Sequence, residues 1–292
     1  MVESTFGELY LEARDRLLAT EDVQTAGYMT RQVLCHASGL RPEMILARRD
    51  EIAPREVRWA MNAMIDRLID QEPLAYVLGE WEFYGLPLYV SPDVLIPRDD
   101  TCAVTELAIK NALFLDQAPR ILDLCCGSGC IGLAIASRVV DARVTLADLS
   151  QEALAIAKKN AHRNKFGGRV TCVRANALEE PPVFLGKFDM IVSNPPYIPG
   201  VEMEELPRSV KDYEPEMALF GGADGLDFYR SIVRNYSSLL KPGGYLAFEF
   251  GMGQGDDVCS ILTEHGYTVL ERTKDYNDRE RAVIACYGRK DR

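Results

Sequence analysis

The chain has 292 residues, of which 47% are hydrophobic, so it is long enough to form one or two domains with full-sized cores. Its formal net charge is −11, because 44 acidic residues outnumber 33 lysines and arginines. This acidic balance argues against direct duplex-DNA binding, since the affinity of such proteins comes largely from neutralising phosphates.

Apolar residues recur at three- and four-residue steps in the first part of the chain, a spacing that predicts amphipathic helices. The repeats are Phe6, Leu9, Tyr10, Ala13 and Leu17, and later Val57, Met61, Met64, Ile65 and Leu68. They predict a helical domain over residues 1–78. Aromatic residues around Gly85-Leu86-Pro87 then predict a β-hairpin linker over residues 79–92.

From residue 93 to residue 292 strand-like and helix-like segments alternate, which predicts an α/β domain with a mainly parallel sheet. A helix is expected over residues 226–240, before Lys241-Pro242-Gly243-Gly244, and a strand over residues 245–250. The polar stretch 198–225 is too long for a plain connector. We therefore expect it to form a lid or a substrate-facing segment.

A turn of small residues, Cys125-Cys126-Gly127-Ser128-Gly129, follows a strand-like run, and a helical pattern begins near Cys130. In such a strand–glycine loop–helix unit, unpaired helix amides face a ligand. The next strand ends at Asp148, nineteen residues after Gly129 (148 − 129), where an acidic residue can bind the hydroxyls of a ribose. The loop and Asp148 together predict a nucleotide-like cofactor site.

Eight cysteines are spread along the chain without Cys-x-x-Cys spacing. With no secretory signal or long apolar span in view, this composition predicts a cytoplasmic protein with free thiols and no membrane partner. Cys125, Cys126 and Cys130 lie close together, but their spacing matches no zinc pattern. We therefore expect these three residues to be structural and predict no metal site.

The sequence Asn194-Pro195-Pro196-Tyr197 follows the strand-like run 188–193. The two prolines fix their own φ angles and favour extended backbone before them, so this segment is rigid. The Asn194 amide, the Pro195 carbonyl and the Tyr197 ring would receive a flat group that carries an NH2, such as an amide or a nucleobase amine. We therefore predict that Asn194, Pro195, Pro196 and Tyr197 form the catalytic site.

These features together resemble the class I S-adenosyl-L-methionine-dependent methyltransferases, and specifically the HemK/PrmC-type protein-(glutamine-N5) methyltransferases. The resemblance covers nearly the whole chain. Beyond the loop and the Asn-Pro-Pro-Tyr sequence, it is carried by residues 72–79, 83–85, 94–98, 213–216, 222–226, 249–251 and 275–281. It implies a Rossmann-like, mostly parallel seven-stranded sheet with a small N-terminal helical domain for substrate recognition.

The resemblance implies methyl transfer from S-adenosyl-L-methionine to the glutamine of the Gly-Gly-Gln motif in class 1 peptide chain release factors. Residues 125–129 would contact the methionine portion of the cofactor, and Asp148 would hold the ribose. Asn176 and Ala177 would lie beside the adenine, and Asn194 would contact both cofactor and substrate.

The chain departs from the family pattern at several of these positions. Cys125 replaces the usual first glycine of the loop, Asn176 replaces a common aspartate, and Ala177 stands where an aromatic residue is frequent. The sequence Asp99-Asp100-Thr101-Cys102 stands where the family usually has Pro-(Glu/Asp)-Thr-Glu. Both loop glycines nearest the helix are present, so we predict an intact site.

Three alternative functions share parts of this pattern. A glutamine methyltransferase acting on a ribosomal protein would use the same site. An adenine-N6 nucleic-acid methyltransferase would also share it, but such an enzyme needs a basic groove or a recognition domain. A non-catalytic binding protein on a methyltransferase scaffold is the third alternative, and the departures in the loop motivate it.

Overall fold

The computed structural model of the protein describes residues 3–115 and 118–288. The chain divides into two compact units. The first contains the residues up to Gly79 together with Arg208–Tyr213, and the second contains Glu80–Pro207 together with the residues from Glu214 onward.

The first unit is helical, as the apolar periodicity predicts. Its N-terminal helices are α1 (Phe6–Leu17), α2 (Val23–Ser38), α3 (Pro42–Ala47), α4 (Arg55–Ile69) and α5 (Leu74–Leu78). Thr5 and Glu8 form a capping box at the start of α1, which satisfies backbone amides that have no partner inside the helix. Most residues of the predicted stripes on α1 and α4 are buried, including Leu17 and Ile65, whereas Tyr10 and Met64 are half-buried.

A segment from much later in the chain returns to this helical unit. The short helix Arg208–Lys211 (α9 in chain order) and Tyr213 belong to it. The Tyr213 hydroxyl donates to the backbone oxygen of Asp70 at 2.7 Å, and the Arg208 guanidinium pairs with the Asp70 carboxylate at 3.1 Å. The predicted domain boundaries do not include this return, because nothing in the local pattern of residues 208–213 indicates its partner.

The second unit begins with the predicted hairpin, formed by the antiparallel strands β1 (Glu80–Phe83) and β2 (Leu86–Tyr89). Its turn residues, Tyr84 and Gly85, have φ angles of 53° and 78°. Two consecutive residues with positive φ form the turn whose twist matches that of the flanking strands.

A mostly parallel sheet forms the centre of the second unit, in agreement with the expected class I methyltransferase fold. Its strands are β3 (Arg120–Leu124), β4 (Arg143–Asp148), β5 (Val170–Arg174), β6 (Phe188–Ser193), β7 (Leu240–Glu249), β8 (Tyr267–Lys274) and β9 (Glu280–Tyr287). The order across the seven-stranded sheet is β5-β4-β3-β6-β7-β9-β8, and β9 points in the direction opposite to the other six strands.

Helices cover both faces of this sheet. One core cluster contains apolar residues of α6 (Cys102–Ala112), α7 (Cys130–Arg138) and α8 (Gln151–Arg163). The other contains residues of α10 (Asp227–Tyr236) and α11 (Gly255–Glu264). The chain passes from β3 outward to β5 and then returns to the other side of β3 with β6. Ligands bind at such a reversal of strand order, outside the carboxyl ends of the strands.

The predicted helix over residues 226–240 is too long. Helix α10 ends at Tyr236, the 3-10 turn Ser237–Leu239 follows, and β7 begins at Leu240. Lys241-Pro242-Gly243-Gly244 thus belongs to the strand rather than preceding it. The register between β6 and β7 shifts between Phe188 and Met190, so pairing with β6 accommodates this turn-like sequence as an irregularity of the strand.

Candidate active site

A cavity of 490 Å³ lies at the carboxyl ends of β3, β4 and β6, a typical size for a small-molecule site. Most of the predicted site residues line it. They are Cys125, Cys126, Gly127, Ser128, Asp148, Asn176, Ala177, Asn194 and Pro196. Gly129, Pro195 and Tyr197 are predicted site residues that do not contribute to the described lining.

The loop between β3 and α7 is held by its backbone conformation. Cys125 and Gly129 both have positive φ angles, of 60° and 81°. At Gly129 an added Cβ would lie 2.9 Å from the Leu146 side chain, so this glycine permits close packing of α7 on the sheet. Gly129 therefore shapes the loop, whereas Cys126 and Gly127 face the cavity.

Asp148 ends β4 with its carboxylate fixed beside this loop. Its two oxygens accept hydrogen bonds from the backbone amides of Gly127, at 2.8 Å, and Ser150, at 3.0 Å. Burial raises the pKa of Asp148, while these hydrogen bonds oppose the shift. A carboxylate has about four acceptor positions, so two hydroxyl groups can still bind to it.

The three neighbouring cysteines carry protonated thiols. Burial raises the pKa of Cys125, Cys126 and Cys130 well above the ordinary value for cysteine. Metal ligation and nucleophilic attack both require the thiolate. Within residues 3–115 and 118–288, no group of three or more His, Cys, Asp or Glu residues has an arrangement that could hold a metal ion.

The adenine-side candidates lie just beyond β5. The backbone oxygen of Asn176 accepts a hydrogen bond from the Tyr236 hydroxyl at 2.9 Å, and the backbone oxygen of Ala177 accepts one from the Ser231 hydroxyl at the same distance. These two bonds attach the segment to α10. The side-chain oxygen of Asn176 accepts from the Leu178 amide at 3.0 Å, which fixes this cavity wall.

Asn194 follows the last residue of β6, lines the cavity and donates from Nδ2 to the Thr101 hydroxyl at 3.4 Å. Tyr197 instead packs against the second core cluster, and its backbone oxygen accepts from the Gln254 side chain at 2.9 Å. In this conformation the Tyr197 ring is therefore part of the support for the turn rather than of the cavity wall.

The Asn-Pro-Pro-Tyr turn is fastened by the segment 219–222. The Ile198 amide donates to the Leu219 oxygen, and the Gly221 amide donates to the Ile198 oxygen, both at 2.9 Å. Gly221 passes so close to the turn that an added Cβ would lie 2.7 Å from the Tyr197 Cα and 2.8 Å from the Pro196 oxygen. Only a residue without a side chain fits at this position.

We expect Gly221→Ala to displace the Asn194 turn, because the new methyl group meets backbone atoms that cannot rotate away. Overpacking of this kind typically costs about 1–3 kcal/mol. Thermal unfolding should show the loss of stability as a lower melting temperature. Gly167→Ala is the matched control, since an added Cβ there meets nothing within 4 Å. Equal stability of the two variants would contradict the proposed close contact.

Sequence reasoning did not assign two further parts of the cavity wall. Asp93, Val94, Leu95 and Pro97 contribute one part, and Pro215, Glu216, Met217 and Ala218 contribute the other. Buried Glu214 connects them, because its carboxylate accepts from the Ile96 amide at 3.2 Å and pairs with Arg98. Both segments overlap the residues that carry the family resemblance, and this resemblance was the sequence signal that could have identified them. Part of the stretch 198–225, predicted to be a lid or a substrate-facing segment, does face the cavity.

Comparison with known proteins places this chain among methyltransferases. The Methyltransferase small domain family matches residues 104–207, and the PrmC N-terminal domain family matches residues 8–79. The catalytic domain of hMettl16 is 15% identical and has a TM-score of 0.56, covering 80% of this chain and 83% of that chain. At this identity the likeness shows the fold alone.

Two curated relatives are similar over almost their whole length. A release factor glutamine methyltransferase of Geobacter sulfurreducens is 40% identical to this chain over 91% of this chain and 91% of its own. One of Nitratidesulfovibrio vulgaris is 34% identical over 97% of this chain and 95% of its own. Because the identity is this high over most of both sequences, the chain belongs to the release factor glutamine methyltransferase family.

Proposed function

We propose that this methyltransferase transfers a methyl group from S-adenosyl-L-methionine to the side-chain nitrogen of the glutamine in the Gly-Gly-Gln motif of class 1 peptide chain release factors. The observation that carries the proposal is that one cavity contains both a cofactor-type carboxylate, Asp148, and the Asn194 amide. The names of the similar relatives support the substrate.

The cavity residues fit S-adenosyl-L-methionine. The Asp148 carboxylate retains acceptor positions for the two ribose hydroxyls, and the compact loop 125–128 leaves room for the methionine portion. Asn176, Ala177 and the neighbouring Leu178 provide a wall for the adenine. When bound, this cofactor supplies an electrophilic methyl group, so the protein's contribution is orientation and electrostatics.

The substrate nitrogen is a poor nucleophile because its lone pair is delocalised into the amide carbonyl. Asn194 Oδ1 and the Pro195 carbonyl would accept the two N–H bonds of this amide and hold its nitrogen in place. Acceptors in this position also stabilise positive charge that develops on the nitrogen. Correct alignment of reacting groups can contribute about 7–11 kcal/mol in the best cases. No dedicated base is required, since the proton can leave after transfer.

We further propose that the helical unit binds the release factor. This unit exposes large apolar side chains that its own core does not use, including Leu46 at 71% and Trp59 at 56% exposure. The Arg55 guanidinium lies 4.1 Å from the centre of the Trp59 ring, which gives this surface a cationic and an aromatic group together. Aromatic and arginine side chains are the types enriched at protein interfaces.

A cytoplasmic location follows from the proposed substrate and from the eight free cysteines. Among the described helices none is both long and apolar enough to span a bilayer.

We expect the protein to methylate an intact class 1 release factor far more efficiently than a short peptide containing its Gly-Gly-Gln loop. Binding energy from remote contacts can be realised as correct placement at the reacting centre, so the peptide should lose rate as well as affinity. The measurement is transfer of labelled methyl groups from S-adenosyl-L-methionine, with kcat and KM determined for each substrate. Trp59→Ala should reduce this preference, because it removes a remote contact without changing the cavity.

Phe184→Ala is the matched control, since Phe184 is an exposed aromatic residue of the other unit. A factor in which alanine replaces the target glutamine should accept no label. Equal efficiency on factor and peptide would show that the helical unit does not select the substrate. Preferred methylation of a ribosomal protein or of DNA would assign the chain to one of the alternative activities, and cofactor binding without any transfer would support the non-catalytic alternative.

A further inference from the structure

Glu249 is a buried acidic residue next to Asn194 at the carboxyl end of the sheet. Glu249 is the last residue of β7, is 1% exposed and is not among the lining residues. Ser193 pairs with Phe248 across the parallel strands β6 and β7, so continuing this register places Asn194 beside Glu249. Paired residues of adjacent strands project from the same face of a sheet. The register therefore places both side chains on one face.

A short chain of hydrogen bonds connects these two residues. Asn194 Nδ2 donates to the Thr101 hydroxyl at 3.4 Å, and hydrogen bonding from Thr101 and Asn194 lowers the pKa of the Glu249 carboxyl, against the larger effect of burial. Only one oxygen of this carboxylate takes part, because the buried Oε2 has no hydrogen-bond partner among the described residues. An ionised carboxylate can only accept. The Thr101 hydroxyl must therefore donate to Glu249, which leaves its oxygen to accept from Asn194. With the hydrogen bonds donated in this direction, the Asn194 NH2 group points toward Thr101 and Glu249, and Oδ1 remains free to accept a hydrogen bond in the cavity.

We propose that Glu249 is a positioning residue for the glutamine methylation proposed above, and that its carboxylate holds the Asn194 amide with Oδ1 toward the substrate NH2. The two ends of an asparagine amide have nearly the same shape but opposite hydrogen-bonding character. If the amide turned over, its NH2 would face the substrate NH2, and the two donors could not pair. A fixed acceptor behind Asn194 excludes that arrangement.

The buried Arg281 contacts the residues next to Thr101 and next to Glu249. The Arg281 guanidinium pairs with Asp100, which precedes Thr101, at 3.1 Å. It also donates to the backbone oxygen of Phe250, which follows Glu249, at 3.3 Å, and pairs with Asp275 at 3.3 Å. The segment 275–281, which carried part of the family resemblance, thus fixes the positions of Thr101 and Glu249. None of residues 275–281 lines the cavity.

The charge of Glu249 is sensitive to pH near neutrality. Burial raises its pKa to about 7, while hydrogen bonding and the charge of Arg281 oppose the shift. The titratable groups that interact electrostatically with the Glu249 carboxyl are Asp100, Arg281, Tyr197, Tyr229, Cys102 and Cys130. Above this pH the carboxylate only accepts. Below this pH, the protonated Glu249 carboxyl can donate to the Thr101 hydroxyl. The hydrogen bonds from Asn194 through Thr101 to Glu249 can then run in the opposite direction.

The test compares the full-length protein with its Glu249→Gln and Glu249→Asp variants on an intact release factor. A glutamine side chain at this position can donate as well as accept, so it does not enforce one orientation of Asn194. We expect Glu249→Gln to lower kcat about 10–100-fold, the usual effect of removing a group that orients a functional side chain. The dissociation constant for S-adenosyl-L-methionine should stay within a factor of about two to three. Glu249→Asp should recover part of kcat.

The pH profile provides a measurement that a purely structural role would not change. The kcat of the unmodified protein should fall as the pH decreases through about 7, and this fall should be absent in Glu249→Gln and present in Glu249→Asp. Glu264→Gln, at an exposed position at the end of α11, is the control for loss of an acidic residue and should retain both kcat and profile.

The outcomes separate the positioning role from the proposed function. Unchanged kcat and an unchanged pH profile in Glu249→Gln would overturn the positioning role while the methylation activity stands. Loss of cofactor binding together with a lower melting temperature would also overturn it, because Glu249 would then be only structural. Absence of transfer to the release factor by the unmodified protein would instead overturn the proposed function.

Discussion

Replacing Asn194 with alanine should reduce methyl transfer about 10²–10³-fold, the typical cost of losing one well-placed transition-state partner. Cofactor binding should change only modestly, because the main partner of the Asn194 oxygen is the substrate amide. Asn194 is half-buried at the edge of the cavity, so we expect the variant to fold. Single-turnover transfer of labelled methyl groups to the intact factor is the measurement, with calorimetry for the cofactor.

Asn111→Ala is the matched control for the Asn194 variant, because Asn111 is a half-buried asparagine in the last turn of α6 and does not line the cavity. It should show full activity. Near-normal turnover by Asn194→Ala would remove Asn194 from the catalytic site. A large loss of cofactor affinity would show that its main role is to bind S-adenosyl-L-methionine instead.

Replacing Asp148 should weaken S-adenosyl-L-methionine binding. Each hydrogen bond to a charged group contributes about 1.5–3 kcal/mol, so losing even one contact with the ribose should raise the dissociation constant roughly 10–100-fold. Because Asp148 also accepts from the Gly127 and Ser150 amides, alanine would leave two backbone donors without their partner. Asp148→Asn is therefore measured beside Asp148→Ala, since it keeps the size of the side chain, removes its charge and leaves only one of the two backbone donors without an acceptor.

Calorimetric titration of the cofactor distinguishes the possible roles of Asp148. Weaker binding by both variants, with a smaller loss of melting temperature in Asp148→Asn than in Asp148→Ala, supports direct contact with the ribose. If affinity falls only in Asp148→Ala, together with its stability, the carboxylate supports the loop and does not hold the cofactor. Asp141→Ala, an exposed aspartate just before β4, should leave affinity unchanged.

Local pattern was sufficient to predict most elements and several residues of the site. Apolar periodicity predicted the amphipathic helices, since a helix needs a buried face whatever it packs against. Asp148 and Asn194 were predictable because each lies at the end of a strand, and parallel strands bring their carboxyl ends to one edge. The end of α10 and the start of β7 could not be predicted in this way. Pairing between β6 and β7 makes the turn-forming residues 241–244 part of a strand.

The sequence by itself thus determined the helical and α/β parts, the cofactor loop and the position of Asn194. Tertiary structure decided the contacts between distant segments. It brought Glu214 to Ile96, 118 residues earlier, and set Glu249 beside Asn194 through strand register. It also placed Tyr197 among core residues rather than in the cavity wall. Periodicity and spacing report which face of an element is buried, but the partner of a buried polar group depends on segments far away in the chain.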